Sequence, residues 1–394
     1  MFKKIFESML SRKRKILVVL PGCRVGGVLS SFIALLNSLF TKKYDLSVFI
    51  MNSYGETVRS EIDRYVVGKN VWLSLIYANV RNYTGILKWN LIFCKLVLRM
   101  PLFGRILRNL IETKQIRKLE KCEYDCIISF HESASLPFVA KFSNKFKIAW
   151  VHCDYSRLST DKERELSVFE CYSKIVTVSN YTNSTFRNLF PSLASRVETI
   201  YNIMDYDAII KKSSEPIDDS RFTTDTFTII SVGRIAAVKQ FNLIPQIAAK
   251  IKAKQALFKW FIVGGSHEDK AYLDLMNAIA FYNVEDCVIC LGNKTNPYPY
   301  FRAANLLVST SSSEACPMIF NEAKILYVPI VTNNFGSSYE FVSEGSDGHI
   351  CTIDEMPEII YRMMKEKTDY HPVINSEFNE MNILSHIDKL LSNF

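Results

Sequence analysis

The sequence predicts an α/β protein of two domains, each built on a parallel β-sheet. The chain has 394 residues, which exceeds the size at which a single hydrophobic core stops growing. Short apolar runs recur along it, and several end in a glycine or polar turn followed by a helical pattern. This alternation of strand, turn and helix is typical of parallel sheets with crossover helices.

The first strand, turn and helix lie near the amino terminus. Residues 15–20 form an apolar run, a loop with the pair Gly26 and Gly27 follows, and a helical pattern extends over residues 30–40. The loop lacks the Gly-x-Gly-x-x-Gly spacing and an acidic residue at the distance that an NAD ribose requires. The pattern therefore argues against a dehydrogenase.

Two later strands of this half end in histidine. Strands are predicted at residues 46–51, 126–130, 147–151 and 174–179. His131 follows the second of these and His152 the third, so both imidazoles are expected at the carboxyl edge of the sheet. A neutral imidazole there can bind a sugar hydroxyl or a phosphate. The alternative for each histidine is a purely structural role.

A polar, punctuated segment follows the first domain. Residues 211–225 carry many charged and turn-forming residues, which suits an interdomain linker. Asp205 and Asp207 just before it form an Asp-x-Asp pair, a pattern that binds metal and nucleotide in some enzymes. A helical pattern follows them directly, so capping of that helix is favoured over metal binding.

Two cations follow a strand in the second half. The apolar run that begins at residue 230 ends at Gly233, and Arg234 and Lys239 come next. Ligands of parallel sheets bind beside the carboxyl ends of the strands. Cations at this strand exit suit a diphosphate. Further strands are predicted at residues 260–263, 288–292 and 328–332.

Two glutamates eight positions apart are the most informative pair. Residues 305–310 form a predicted strand, Glu314 follows its polar exit, and residues 317–326 form a predicted helix that carries Glu322 one to two turns from its start. One carboxylate and a row of helix-start amides are thus expected beside the same sheet edge, where they suit a phosphate or sugar oxygens.

Taken in order, these motifs resemble the carboxyl-terminal half of a retaining glycosyltransferase of family four, with its Glu-x7-Glu motif and GT-B fold. The resemblance covers residues 225–345 most strongly. It implies two Rossmann-like domains facing each other across a cleft. The implied boundaries are residues 1–206 for an acceptor- and membrane-facing domain, 207–221 for the linker, 222–374 for a nucleotide-sugar domain, and 375–394 for a helix returning to the first domain.

The resemblance also implies roles for individual residues. Glu314 would contact hydroxyls of the transferred sugar, Glu322 the nucleotide ribose, and Arg234 and Lys239 the diphosphate. His131 would contact the sugar, and the backbone of Gly26 and Gly27 would approach the donor phosphate. The remaining expected donor contacts are His152, Asn202, Ala315, Cys316, Met318 and Ile319.

Four positions depart from the family pattern. Leu29 stands where the family often has a glutamate, and Gln240 replaces a common glycine after Lys239. Ala315 and Cys316 follow the first glutamate in place of the usual Gly-Phe. Because Ala315 has less backbone freedom than glycine, the donor sugar is expected to sit differently.

Positive charge is concentrated in the first third of the chain. Residues 1–120 contain 21 Lys and Arg against 7 Asp and Glu, and residues 64–111 contain no carboxylate. Apolar and basic residues alternate over 84–119, which predicts helices lying on an anionic membrane surface, and the basic segment 1–15 is a candidate second anchor. The alternative is an ordinary core face. No nucleic-acid recognition module is recognisable.

Ten cysteines lie mostly in strand-like apolar runs, and no secretory signal precedes them, which favours the reducing cytoplasm. Cys287 and Cys290 have no partner pair with zinc-site spacing. We expect neither metal nor cofactor, and a location in the cytoplasm, peripheral on the inner face of the plasma membrane.

The sequence thus predicts a retaining hexosyltransferase that moves a sugar from a nucleotide-sugar to a membrane-associated, lipid-linked glycan acceptor in surface polysaccharide synthesis. Three alternatives remain: a sugar-nucleotide epimerase of the same fold, a catalytically silent GT-B protein that binds a glycan or another subunit, and a peripheral membrane scaffold.

Overall fold

The computed structural model describes residues 13–23, 26–52, 60–67, 73, 76–77, 85–265, 269–366 and 370–392. Most of the predicted basic anchor at residues 1–15, and residue 84 of the predicted membrane segment, lie outside these ranges.

Twelve strands are named within the described ranges. They are β1 (Lys15–Leu20), β2 (Asp45–Ile50), β3 (Cys126–Ser129), β4 (Lys147–Val151), β5 (Lys174–Thr177), β6 (Val197–Thr199), β7 (Phe227–Val232), β8 (Phe258–Val263), β9 (Val288–Gly292), β10 (Leu306–Ser309), β11 (Ile330–Asn333) and β12 (Gly348–Cys351).

The helices alternate with the strands. In the first half they are α1 (Gly27–Asn37), α2 (Phe40–Lys43), α3 (Ser60–Asp63), α4 (Gly85–Arg99), α5 (Pro101–Glu120), α6 (Ser135–Ala140), α7 (Lys162–Phe169) and α8 (Asn180–Leu189). In the second half they are α9 (Tyr206–Ser213), α10 (Ile244–Lys252), α11 (Asp269–Phe281), α12 (Tyr298–Arg302), α13 (Met318–Ile325), α14 (Ser338–Phe341), α15 (Met356–Lys365) and α16 (Glu380–Ser392).

The strands form two parallel six-stranded sheets, so the predicted α/β class and GT-B type of fold are confirmed. The orders are β2-β1-β3-β4-β5-β6 and β12-β11-β10-β7-β8-β9. Each central strand is covered on both faces and therefore reads as a continuous apolar run. In β1 the side chains from Ile16 to Leu20 are all buried, and in β8 those from Trp260 to Val263 are too.

The chain divides into two compact units. The first contains the described residues up to Val178, Thr182–Met204 and helix α16, and the second contains the rest. Helix α16 is fixed within the first unit because Arg14 donates to the backbone carbonyl of Leu391 and the Tyr44 hydroxyl donates to Asp388 at 2.8 Å. The domain boundaries at residues 206, 221 and 374 stay predictions.

Helices α4 and α5 form a hairpin in the first unit. They approach closely at Gly104, where an added Cβ would lie 2.1 Å from the carbonyl oxygen of Leu98. Glu112 fixes the inner face of α5, since it is 2% exposed, accepts from the Tyr77 hydroxyl at 2.5 Å and pairs with Lys141. None of the described helices combines the length and apolarity needed to cross a bilayer.

Candidate active site

The second sheet brings its functional residues together at the ends of β7 and β10. These strands are parallel neighbours, with Leu306 paired to Ile229 and Leu307 to Ile230. Their carboxyl ends therefore open at the same edge. The segment after β7 carries Arg234 and Lys239, and the segment after β10 carries Glu314.

Two glycines shape this edge. Gly233 has φ +146° and Gly264 has φ +156°, values that side chains of L-residues rarely adopt. A Cβ on Gly264 would lie 1.8 Å from the carbonyl oxygen of Gly233. The segments that follow β7 and β8 can therefore approach each other this closely only because both positions are glycine.

Lys239 and Glu314 form an ion pair although 75 positions separate them. Their side chains are 19% and 16% exposed. The backbone around Lys239 is also fixed, since Thr310 Oγ1 donates to the Lys239 carbonyl at 2.8 Å. The cation predicted for the diphosphate thus contacts the carboxylate predicted for the sugar.

Two serines that the sequence did not single out orient Glu314. Ser311 Oγ donates to Glu314 Oε1 at 2.8 Å, and Ser337 Oγ donates to the Glu314 carbonyl at 2.8 Å. Ser311 lies in the polar strand exit, which is a weak signal, whereas nothing in the local sequence around Ser337 marks it. Both serines are almost fully buried.

Glu322 is the fifth residue of α13, at the predicted one to two turns from its start. Its side chain is partly exposed, so a ligand can reach it. Burial raises its pKa to about 7, against the opposite effects of the Tyr298 phenol and the charge of Lys239. The Tyr298 hydroxyl lies 3.4 Å from Glu322 Oε1. Tyr298 is a further residue that the sequence did not single out.

The other predicted contacts of the second unit lie on the same segments. Ala315 and Cys316 precede α13, Met318 and Ile319 form its first turn, and all four are partly exposed. Arg234 is exposed just after β7. The structure therefore places the predicted residues of this unit on the exits of β7 and β10 and on α13, while their roles stay predictions.

The first sheet carries its own polar group at the ends of β3 and β4. Ser133 N–H donates to His131 Nδ1 at 3.1 Å, so the neutral imidazole carries its hydrogen on Nε2. Glu132 accepts the His152 N–H at 2.9 Å and lies 3.6 Å from His131 Nδ1. Burial opposes ionisation of Glu132, but both imidazoles and this N–H hold its pKa below the ordinary value.

His152 is more deeply buried than His131. Among the residues that the structure describes, neither ring nitrogen of His152 has a hydrogen-bond partner, and neither has Oδ1 of Asn202, although all three atoms are buried. Burial lowers the pKa of His152 to about 3 despite the nearby Glu132, so the ring is neutral. By contrast, the His131 side chain is 29% exposed.

The remaining predicted residues lie at helix starts. Gly26 is the N-cap of α1 and Gly27 its first residue, and a Cβ on Gly26 would meet nothing within 4 Å. The side chain of Asp205 accepts the Ala208 N–H at 2.9 Å and caps α9. Capping by Asp205 is therefore confirmed.

Known proteins resemble this chain in sequence and in fold. The family model described as "Glycosyl transferases group 1" matches residues 213–371. The uncharacterized glycosyltransferase MJ1059 of Methanocaldococcus jannaschii is 23% identical over 241 residues, which are 56% of this chain and 58% of that protein. Residues 213–371 are thus similar to the group 1 glycosyl transferases. The match to MJ1059 spans less than two thirds of the length of that protein.

Two further similarities agree with that family. The amylovoran biosynthesis glycosyltransferase AmsD of Erwinia amylovora is 24% identical over 60% of this chain and 66% of its own length. The crystal structure of Anabaena Alr3699/HepE in complex with UDP-glucose has a TM-score of 0.70 and 17% identity, covering 96% of this chain and all of that one. At this identity the structural similarity shows the GT-B fold alone.

Proposed function

We propose that the chain is a retaining hexosyltransferase that transfers a sugar from a nucleotide-sugar to a membrane-associated, lipid-linked glycan in surface polysaccharide synthesis. One observation carries the proposal: Lys239, Glu314, Glu322 and the start of α13 lie at neighbouring strand ends of the second sheet. The UDP-glucose complex of Alr3699/HepE supports a nucleotide-sugar donor, and the similarity to AmsD supports a biosynthetic role.

The reaction that these groups suit begins with departure of the nucleoside diphosphate. The bond between the anomeric carbon and the β-phosphate oxygen breaks, and its electron pair stays on the phosphate. Lys239, Arg234 and the amides at the start of α13 offer positive charge for this leaving group. Diphosphate binding would draw Lys239 from Glu314 and release that carboxylate for the sugar.

Glu314 would then orient the sugar through its hydroxyls. The acceptor hydroxyl attacks the anomeric carbon on the face that the diphosphate leaves, and its proton passes to a leaving phosphate oxygen. The new bond therefore keeps the anomeric configuration. In the first unit, His131 is the residue that we assign to a sugar hydroxyl, since its ring is more accessible than the nitrogens of His152.

The experiment that tests this assignment is transfer from radiolabelled UDP-glucose and other nucleotide-sugars to lipid extracts, with wild type, Lys239→Ala and Glu314→Gln. Lys254→Ala is the matched control, because Lys254 forms a surface pair with Glu358 away from these strand ends. Loss of transfer in the first two variants alone supports the proposal, and unchanged transfer overturns it. Epimerised donor without acceptor would identify the alternative enzyme, and no turnover of any donor would favour the silent protein.

We assign the membrane contact to the outer surface of α4 and α5. Of the side chains described there, nine large apolar ones are at least half exposed, and basic residues, among them Lys88, Arg105 and Arg108, are exposed with them. A basic amphipathic surface of this kind matches an anionic bilayer. The nine are Ile86, Trp89, Phe93, Leu96, Met100, Leu102, Phe103, Ile106 and Leu110.

Sedimentation with vesicles tests that contact. The double variant Trp89→Ser and Phe93→Ser is expected to bind anionic vesicles more weakly by about tenfold or more. Two apolar side chains that would enter the bilayer are lost in it. Leu257→Ser is the matched control, since Leu257 is 80% exposed in the second unit. Equal binding by all three proteins, or binding that ignores vesicle charge and salt, would contradict this assignment.

A further inference from the structure

Resting on the proposed function, we propose that Tyr298 is a positioning residue of the nucleotide site. Its phenol holds the Glu322 carboxyl, and the ribose hydroxyls of the donor displace a proton from that carboxyl when they bind. Nucleotide-sugar binding is therefore coupled to proton release.

The contact depends on the way α12 begins. Asn296 Oδ1 accepts the Tyr298 N–H at 3.2 Å, and Asn296 Nδ2 donates to the Lys212 carbonyl at 2.9 Å and to Glu215 at 2.8 Å. Residue 296 thus joins the start of α12 to the last turn of α9 and the segment after it. This anchoring directs Tyr298 toward α13, where its hydroxyl lies 3.4 Å from Glu322. At that distance the hydrogen bond is weak before ligand binds.

The chemistry of a ribose explains why a proton should leave. A vicinal diol offers two O–H donors, and an ionised carboxylate offers two acceptor oxygens, whereas a protonated carboxyl loses part of its acceptor capacity. Hydrogen bonds to the charged form favour ionisation. Burial raises the pKa of Glu322 to about 7, so part of the protein carries this proton at neutral pH. Adding the two hydroxyls would stabilise the carboxylate in the same place.

Two groups among the described residues favour the ionised form of Glu322. The neutral phenol of Tyr298 on α12 acts through a hydrogen bond, and Lys239 at the β7 exit acts through its charge. Lys324 on the same helix is fully buried and pairs with Asp347. A diphosphate on Lys239 would cancel part of that favourable charge. Proton release therefore requires that the ribose hydroxyls lower the pKa of Glu322 more than the diphosphate raises it. The number of protons released on binding measures this balance directly.

The test is calorimetric binding of UDP-glucose in buffers of different ionisation enthalpy between pH 6 and pH 8.5. UDP-glucose suits the purpose because its diphosphate has no proton to lose in this range. For a carboxyl with a pKa of about 7, wild type should release about half a proton at pH 7, more at pH 6 and almost none at pH 8.5. Tyr298→Phe should weaken binding severalfold at pH 7 and move the release to higher pH.

Tyr300→Phe is the matched control on the same helix, since its hydroxyl contacts Asp218 rather than Glu322. Wild-type behaviour of Tyr300→Phe beside the altered release of Tyr298→Phe supports the inference. Binding by wild type without proton release, or a Tyr298→Phe protein identical to wild type, overturns the inference and leaves the proposed function standing. Failure of wild type to bind any nucleotide-sugar overturns the proposed function and the inference with it.

Discussion

The two sheets end in different chemistry although both are six-stranded and parallel. At the second sheet, β7 and β10 bring Lys239 into contact with Glu314, its charge also acts on Glu322, and glycine backbone brings the strand exits together. At the first sheet, β3 and β4 place the imidazoles of His131 and His152 around the carboxylate of Glu132. The second edge is built for an anion, whereas the first offers hydrogen-bonding groups suited to hydroxyls. The topology supplies a place for ligands, and the side chains decide which ligand fits.

The largest expected effect is on transfer by Lys239→Ala. Removing this cation should lower kcat/KM by about 10²–10³-fold, because one preorganised donor to a leaving group contributes roughly 3 kcal/mol of transition-state stabilisation. Steady-state kinetics with the preferred donor, beside Lys254→Ala, provide the measurement. A loss below threefold would break the contrast between the two edges.

A substitution at the glycine contact tests whether the second edge depends on close backbone approach. Gly264→Ala should destabilise the protein by about 3 kcal/mol, because its Cβ would overlap the Gly233 carbonyl at an unfavourable φ. Gly26→Ala, in open space at the first edge, should change stability by less than about 0.5 kcal/mol. Urea unfolding measures both, and similar losses in the two variants would remove the distinction.

The pH dependence of stability tests the state of Glu322. The pKa of this carboxyl is raised in the folded protein to about 7, so its contribution is fully present below the unfolded pKa near 4.5 and is lost as pH rises through about 7. Glu322→Gln should remove that dependence, on the order of 2 kcal/mol between pH 4.5 and pH 8. Thermal unfolding of both proteins across this range is the measurement, and parallel curves would refute the assignment.

The smallest effect is expected at the first edge. His131→Gln should lower kcat/KM about tenfold, the value of one hydrogen bond to a sugar hydroxyl. His386→Gln, exposed on α16, is the control and should be neutral. A loss as large as that of Lys239→Ala would show that the first edge contributes more to the transition state than hydroxyl binding.

Much of the fold could be predicted because strands covered on both faces are apolar throughout. The structure places β9 at the predicted residues 288–292, and β10 and α13 lie within one residue of their predicted ends. The predicted helix over residues 30–40 instead divides into α1 and α2 around Ser38, whose hydroxyl and backbone N–H both bond to α1 carbonyls. A local polar side chain here competes with helix continuation.

The candidate site was predicted less completely than the fold. Strand ends and motif spacing were sufficient to single out Lys239, Glu314 and Glu322. Tyr298, Ser337 and Glu132 were missed because they act through contacts with residues distant in sequence or through burial. A tyrosine after a proline or a serine in a loop carries no local mark of such a contact.

The sequence by itself determined the two parallel sheets, the strand exits at which ligands bind, and the residue types available there, because periodicity and turn residues act over a few positions. Only the tertiary structure decided that Lys239 contacts Glu314 across 75 positions, that Tyr298 reaches Glu322, and that the ring nitrogens of His152 are buried while His131 is accessible. Pairing and desolvation depend on which strands become neighbours and how closely side chains pack. Those quantities arise when the sheets assemble, and they set the charge state of the site.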